Sequence, residues 1–234
     1  MHYGYRRGMA LLPRLRRLIR RPVSASKVGV RRPTSARRRD TIHEDSVRAM
    51  LGEDPNDVRA FQALAEIVRR RAAEVGPDGD PLTAPQDEVE RQRAADLAVW
   101  ALAEELAGHP RAWYPLVELA RLSVHDDHEG MLRRLGTAAE RDPSGQALVE
   151  GLAVLREAGQ PVDALGLGVG HWRVKDQTPV IGRHLVLAAL EAERPLEAKH
   201  HLQSLDMHPD QDAVARIRAE VGPKVAAAQE HVGG

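Results

Sequence analysis

Apolar residues return at helical spacing along most of this chain, and prolines break the pattern at regular intervals. Behind Asp54-Pro55-Asn56-Asp57, the positions Val58, Phe61, Leu64, Ala65, Ile67 and Val68 fall on one helical face, so a capped helix is predicted to run to Ala73. Residues 76–85 are dense in Gly, Pro and Asp, which cannot continue a helix. From Gln86 to Ala107 the pattern resumes with Val89, Ala94, Leu97, Ala98, Trp100, Ala101, Leu102 and Leu106, and Gly108 stands where a C-terminal cap belongs.

Beyond His109-Pro110 the pattern becomes cyclic. One helix is predicted from Arg111 to about Leu122, with Trp113, Leu116, Val117, Leu119 and Ala120 inward. A polar turn, Ser123 to His128, separates it from a second, Glu129 to Glu140. Asp142-Pro143-Ser144 restarts the cycle with Ala147, Leu148, Leu152 and Leu155. A turn at Gly159-Gln160 then leads to Pro161 at a helix start, followed by Val162, Leu165, Leu167 and Trp172. A third cycle comprises Pro179 to Ala192 and Leu196 to Leu205, and a last helix runs from Gln211 to about His231. Proline costs nothing in the first turn of a helix, where its missing N–H would have no partner, so these prolines mark helix starts. Prolines 110, 143, 179 and 209 recur at intervals of 30 to 36 residues, the period of stacked helical hairpins.

The segment Ala112-Trp113-Tyr114-Pro115-Leu116-Val117-Glu118-Leu119-Ala120, with Ala138-Ala139-Glu140-Arg141-Asp142-Pro143 after it, resembles one tetratricopeptide repeat. The Trp-x-x-Leu start and the Ala ahead of an Asp-Pro exit carry the likeness. Leu148 to Trp172 resembles a second repeat, through Gly151, Leu152, Ala153, Glu157-Ala158-Gly159 and Ala164, and Gly182 to Pro209 is similar to a third. The pattern departs from the family in lacking the Tyr expected late in the first helix and in placing glycines 166, 168 and 170 inside a second helix. The resemblance implies an all-α fold of stacked antiparallel hairpins, a TPR-like solenoid, over residues 44–232. It also implies a groove that holds a protein or peptide partner.

Charge changes this picture at one end. Residues 1–40 carry thirteen Arg or Lys against Asp40 alone, while the whole chain has 34 of each sign. Residues 41–234 therefore hold 21 basic and 33 acidic residues, and an arm of charge +12 faces a body of −12. Within residues 1–43, Leu11, Leu12, Leu15, Leu18 and Ile19 give a short basic amphipathic helix at 10–21. The Ser-, Pro- and Arg-rich stretch after it has no apolar periodicity and is expected to be disordered when unbound. Arg14, Arg16, Arg17, Arg20, Arg21, Arg31, Arg32, Arg37, Arg38 and Arg39 are its anion-binding candidates. RNA or a ribosome, an anionic membrane surface, or an acidic protein would each suit them. Met9 opens the regular part of the arm and is an alternative start. Arg14, Arg16 and Arg17 interrupt the apolar run that a secretory signal requires, and no stretch is long and apolar enough for a spanning helix.

Candidate chemistry is sparse. The absence of cysteine removes disulfides, thiolate metal sites and a Cys nucleophile, and agrees with a cytoplasmic protein, peripheral at most to a membrane or ribosome. His125-Asp126-Asp127-His128-Glu129 could supply Zn²⁺ or Mn²⁺ ligands, yet reads better as a solvated turn whose acids favour the next helix start. Leu165-Gly166-Leu167-Gly168-Val169-Gly170 lacks the preceding strand of a phosphate loop and is read as close helix contact. Neither catalytic residues nor a cofactor or metal site are assigned. The expected function is a non-enzymatic adaptor that binds protein through Trp113, Tyr114, Arg121, His125, Arg156, Trp172 and Arg183, since Arg and aromatic side chains carry most binding energy. An RNA- or ribosome-associated factor is the alternative, and a metal-dependent enzyme using His125 and His128 is the third. Richness in Ala, Arg and Gly suits a GC-rich bacterial genome.

Overall fold

The computed structural model describes residues 35–75 and 87–232. Among them the chain forms ten α-helices, a 3-10 turn and no strand. These are α1 (Ser35–Glu53), α2 (Val58–Val75), α3 (Glu88–Ala107), α4 (Tyr114–Ser123), α5 (His128–Arg141), α6 (Gln146–Glu157), α7 (Pro161–His171), α8 (Val180–Glu191), α9 (Pro195–Ser204), the 3-10 turn Leu205–Met207, and α10 (Gln211–Val232). The predicted amphipathic helix at 10–21 and the loop at 76–85 lie outside the described residues. One boundary moves. α1 begins at Ser35, so Arg37, Arg38 and Arg39 sit on a helix and not in the disordered arm that was expected to reach residue 43. No Pro or Gly occurs between Pro33 and Gly52, and Ala and Arg are good helix formers, so nothing stops the helix from starting there.

The chain divides into two units, residues 1–106 and 107–234. In the first, α1 packs on α2 and the apolar faces close over Val47, Leu51, Phe61 and Leu64, all buried. Glu44 is buried with them. Burial alone would raise its pKa, but Arg71 Nη2 at 2.5 Å and Arg48 Nε at 3.3 Å outweigh that and hold it below the ordinary carboxylate value. α3 buries Val99, Leu102 and Ala103 and exposes Val89 and Leu97.

The second unit is a stack of hairpins. α4 pairs with α5, α6 with α7, and α8 with α9, while the first helices also pack in sequence, α4 on α6, α6 on α8 and α8 on α10. Leu135, Leu148, Leu152, Leu155, Ile181 and Leu185 are fully buried in it. Each removes apolar surface worth about 1.5–3 kcal/mol from water, which is the force that holds hairpin to hairpin.

Two kinds of turn set the repeat. Asp54, His109, Asp142, Thr178 and His208 each precede a proline, and each side chain accepts the backbone N–H two residues on. The donors are Asn56 at 2.9 Å, Arg111 at 3.2 Å, Ser144 at 3.0 Å, Val180 at 3.4 Å and Asp210 at 2.9 Å. In the second unit these bonds fold the chain back ahead of α4, α6, α8 and α10, and in the first the same turn joins α1 to α2. His208 does more. Its Nε2 lies 3.0 Å from the carbonyl of Gln177, which can only accept, so the proton is on Nε2 and the neutral Nδ1 is the acceptor for Asp210.

The second turn joins the two helices of a hairpin. After α6, Gly159 N–H bonds to Arg156 O at 3.0 Å and Gln160 N–H to Leu155 O at 2.8 Å. After α8, Glu193 N–H bonds to Leu190 O at 3.0 Å and Arg194 N–H to Ala189 O at 2.8 Å. Both are left-handed helix stops, with φ of 69° at Gly159 and 59° at Glu193. Glycine meets that geometry without cost, whereas glutamate strains its Cβ by about 1–2 kcal/mol. Pro161 and Pro195 follow as first residues of the next helices.

The glycines of α7 divide by role. A Cβ on Gly168 would stand 2.4 Å from Leu185 Cδ2 and 3.1 Å from Leu185 Cγ, so close approach of α7 to α8 requires glycine there. Gly166 and Gly170 face open space.

Two outcomes follow, both measurable by urea unfolding. Glu193→Gly is expected to raise stability by about 1 kcal/mol. Gly166→Ala and Gly170→Ala are each expected to stabilise by up to about 1 kcal/mol through helix propensity, while Gly168→Ala, two residues from either, destabilises by about 1–3 kcal/mol through overpacking against Leu185.

Candidate partner-binding site

The row of first helices carries a line of guanidinium–carboxylate pairs, one at each joint between hairpins. Arg121 on α4 donates from Nη2 to Glu150 on α6 at 2.9 Å, and lies 3.5 Å from Glu118 and 3.7 Å from Glu157. Arg156 on α6 forks onto Glu191 of α8, Nε to Oε2 at 2.9 Å and Nη2 to Oε1 at 2.5 Å. Arg183 on α8 repeats the fork on Glu220 of α10, at 2.8 and 2.5 Å. The planar fork of arginine matches a carboxylate at two points, which fixes geometry as well as charge. The hydrogen bonds of the Arg183–Glu220 pair lower the pKa of Glu220 and raise that of Arg183.

Three of the sequence-predicted residues thus fall on one row, Arg121, Arg156 and Arg183. Their carboxylate partners were not anticipated. The pairs are spaced 29, 35 and 37 residues apart, so no fixed interval in the sequence pointed to them.

His184 lies inside this row and is 8% exposed. Arg156 Nη1 is 3.1 Å from its Nδ1, so the ring accepts and is neutral. Burial first, then the nearby charges of Arg156 and Arg183, lower its pKa to about 4, against a smaller opposing pull from Glu191 and Glu220.

His125 is exposed and lines an open cleft of about 310 Å³ with Arg121, Val124, Val154, Glu157 and Ala158. The aromatic candidates fare differently. Tyr114 is buried in the core, its ring edge-on to that of Trp113 with centroids 5.7 Å apart, and so is a packing residue and not a surface anchor. Trp113 is half-buried at the start of α4. Trp172, half-buried at the end of α7, packs on α8: a Cβ on Gly182 would lie 2.7 Å from its indole. Tyr114 thus belongs to the core and Trp172 to the contact of α7 with α8, while the three arginines lie on the row of first helices.

The acidic turn resolves as capping. Asp127 caps α5 by accepting Gly130 N–H at 2.9 Å, and Arg134 stands 3.3 Å away. His128 Nε2 lies 3.5 Å from Asp163 on α7. Among the described residues no group of three His, Asp or Glu could hold a metal ion, and no helix is long and apolar enough to cross a membrane. The arm candidates Arg14, Arg16, Arg17, Arg20, Arg21, Arg31 and Arg32 lie outside the described residues.

The depressed pKa of His184 fixes a sign. The unfolded chain binds its proton near pH 6.5 and the folded chain only near pH 4, so stability is complete above 6.5 and is lost as pH falls toward 4. The loss is on the order of 3 kcal/mol. His201, also lowered by burial, adds a contribution of the same sign. Urea midpoints measured from pH 7.5 to 4 should fall steeply in wild type, and His184→Gln should flatten much of that slope.

Comparison of the chain with protein-family models, with curated proteins and with solved structures found no match.

Proposed function

We propose that this protein is a non-enzymatic, TPR-like adaptor whose first-helix row binds a protein or peptide partner. Its basic arm contacts an anionic surface in the cytoplasm of a bacterium, in this reading. The observation that carries the proposal is the cleft beside Arg121, which opens on the first-helix row of a regular stack of hairpins. Stacked hairpins of this kind present a continuous surface to an extended ligand, since each repeat adds equivalent side chains at a fixed step. Polar groups along such a row supply orientation, and a cleft with apolar walls supplies the buried contact.

The test is affinity capture from a nuclease-treated host lysate at 50 and 200 mM salt. It compares the full chain, the chain lacking residues 1–34, and the full chain carrying His125→Ala with Glu157→Ala. Both substitutions fall on exposed positions. The arm-deleted protein is expected to keep its protein partner at both salt concentrations, and the double variant to lose most of it. Capture that disappears with the arm, with nuclease or at 200 mM salt would instead establish the RNA- or ribosome-associated factor, because phosphate contacts weaken steeply with salt.

A further inference from the structure

Charge along the row is not evenly matched. At the α6–α8 joint Arg156 faces Glu191, and at the α8–α10 joint Arg183 faces Glu220, one carboxylate for each guanidinium. At the α4–α6 joint a single guanidinium, Arg121, faces three carboxylates, Glu118, Glu150 and Glu157. Only Glu150 approaches within hydrogen-bond distance, at 2.9 Å, and Glu157 at 3.7 Å keeps a side chain 71% exposed. An ionised carboxylate offers about four acceptor positions, so Glu157 has most of its capacity unspent. Of the three carboxylates Glu157 lines the cleft itself, together with Arg121, His125, Val124, Val154 and Ala158, while Glu118 and Glu150 adjoin it through Arg121.

We infer that this cleft receives an arginine or lysine side chain from a basic peptide segment of the partner. The inference rests on the adaptor reading above and names the chemistry of its ligand. The match has two parts. A long cationic side chain lays its methylenes along apolar surface while its head reaches water or a carboxylate. Here the aliphatic walls take the stem and Glu157 takes the head, with Glu118 adding to the field. The ion pair forms at a partly exposed site, so it supplies direction and selectivity more than affinity. An acidic peptide is the opposite choice. It would bring a fourth carboxylate to one guanidinium, and like charges so placed repel.

The experiment titrates isotope-labelled full-length protein with acetylated, amidated pentapeptides, Ala-Ala-X-Ala-Ala, where X is arginine, citrulline or glutamate. Citrulline keeps the shape of arginine and removes its charge. The arginine peptide should shift the amide resonances of Val124, His125, Glu157 and Ala158. The citrulline peptide should bind at least tenfold more weakly, and the glutamate peptide should produce no shifts there. Glu157→Gln, at an exposed position that leaves the core untouched, should weaken the arginine peptide at least fivefold with an unchanged melting temperature. Equal binding of the arginine and citrulline peptides, shifts confined to other helices, or no binding would overturn the assignment. Should the arm-deleted protein still capture its partner while these peptides fail, the adaptor stands and the basic ligand falls. If capture also fails, both readings fall together.

Discussion

A two-helix hairpin from this chain has more apolar surface than its own pair can cover, and that mismatch organises the second unit. α6 illustrates the point. Leu148, Leu152 and Leu155 are buried, yet α7, its hairpin partner, is only one of the helices it meets, with α4, α5 and α8 supplying the rest. Each hairpin thus completes its core with residues of its neighbours, as repeat architectures require. The close fit shows at Gly168 and Gly182. Side chains of Leu185, Leu205 and Trp172 press so near that no Cβ could be placed without displacement. The turns before each proline and the left-handed stops after α6 and α8 matter because they deliver the helices to that packing in the right order.

Much of this was legible in the sequence because it rests on local chemistry. Proline at a helix start, glycine at a helix stop and apolar residues three or four apart each act over a few positions. The helices from Val58 to Val232 accordingly begin and end within about three residues of where the pattern put them. The start of α1 was not legible. Arginine-rich segments read equally well as solvated coil or helix, and α1 has little amphipathic pattern to separate the two. Tyr114, buried in the core, was not legible as such for a different reason. A tyrosine at a helix start fits both an exposed anchor and a packing residue, and only the neighbours brought by the stack bury it. The setting of His184 was not legible because the group against its ring, Arg156, comes from α6, 28 residues away. The residue before each proline was half legible. Asp54 and Asp142 are conventional turn formers, but His109, Thr178 and His208 share the role only by geometry that sequence spacing does not reveal.

The pairs along the row should be weighed by exposure. Glu191 and Glu220 keep about two-fifths of their side-chain surface in water, so these forks add little net stability. What they do add is registry. A bidentate pair tolerates little sliding between helices, and two such pairs on successive joints define which turn of α8 meets which turn of α6 and α10. Hydrophobic burial decides that the hairpins stack, and the charged row restricts how.

That division bears on recognition. A guanidinium already forked onto a carboxylate has few donors left for a ligand, so Arg156 and Arg183 belong more to the scaffold than to a binding surface. Arg121 is different because its best contact is a single bond, and because two further carboxylates crowd it without completing hydrogen bonds. A stack with matched charge at two joints and a surplus at the third has an end-to-end polarity that the apolar core lacks. A partner reading shape alone would find similar first helices at every joint. A partner reading charge would find one joint distinct, and it is the joint that opens on the cleft. Selectivity on a repeating surface has to come from such a break in the repeat, because equivalent positions by themselves cannot fix where along the row a ligand begins.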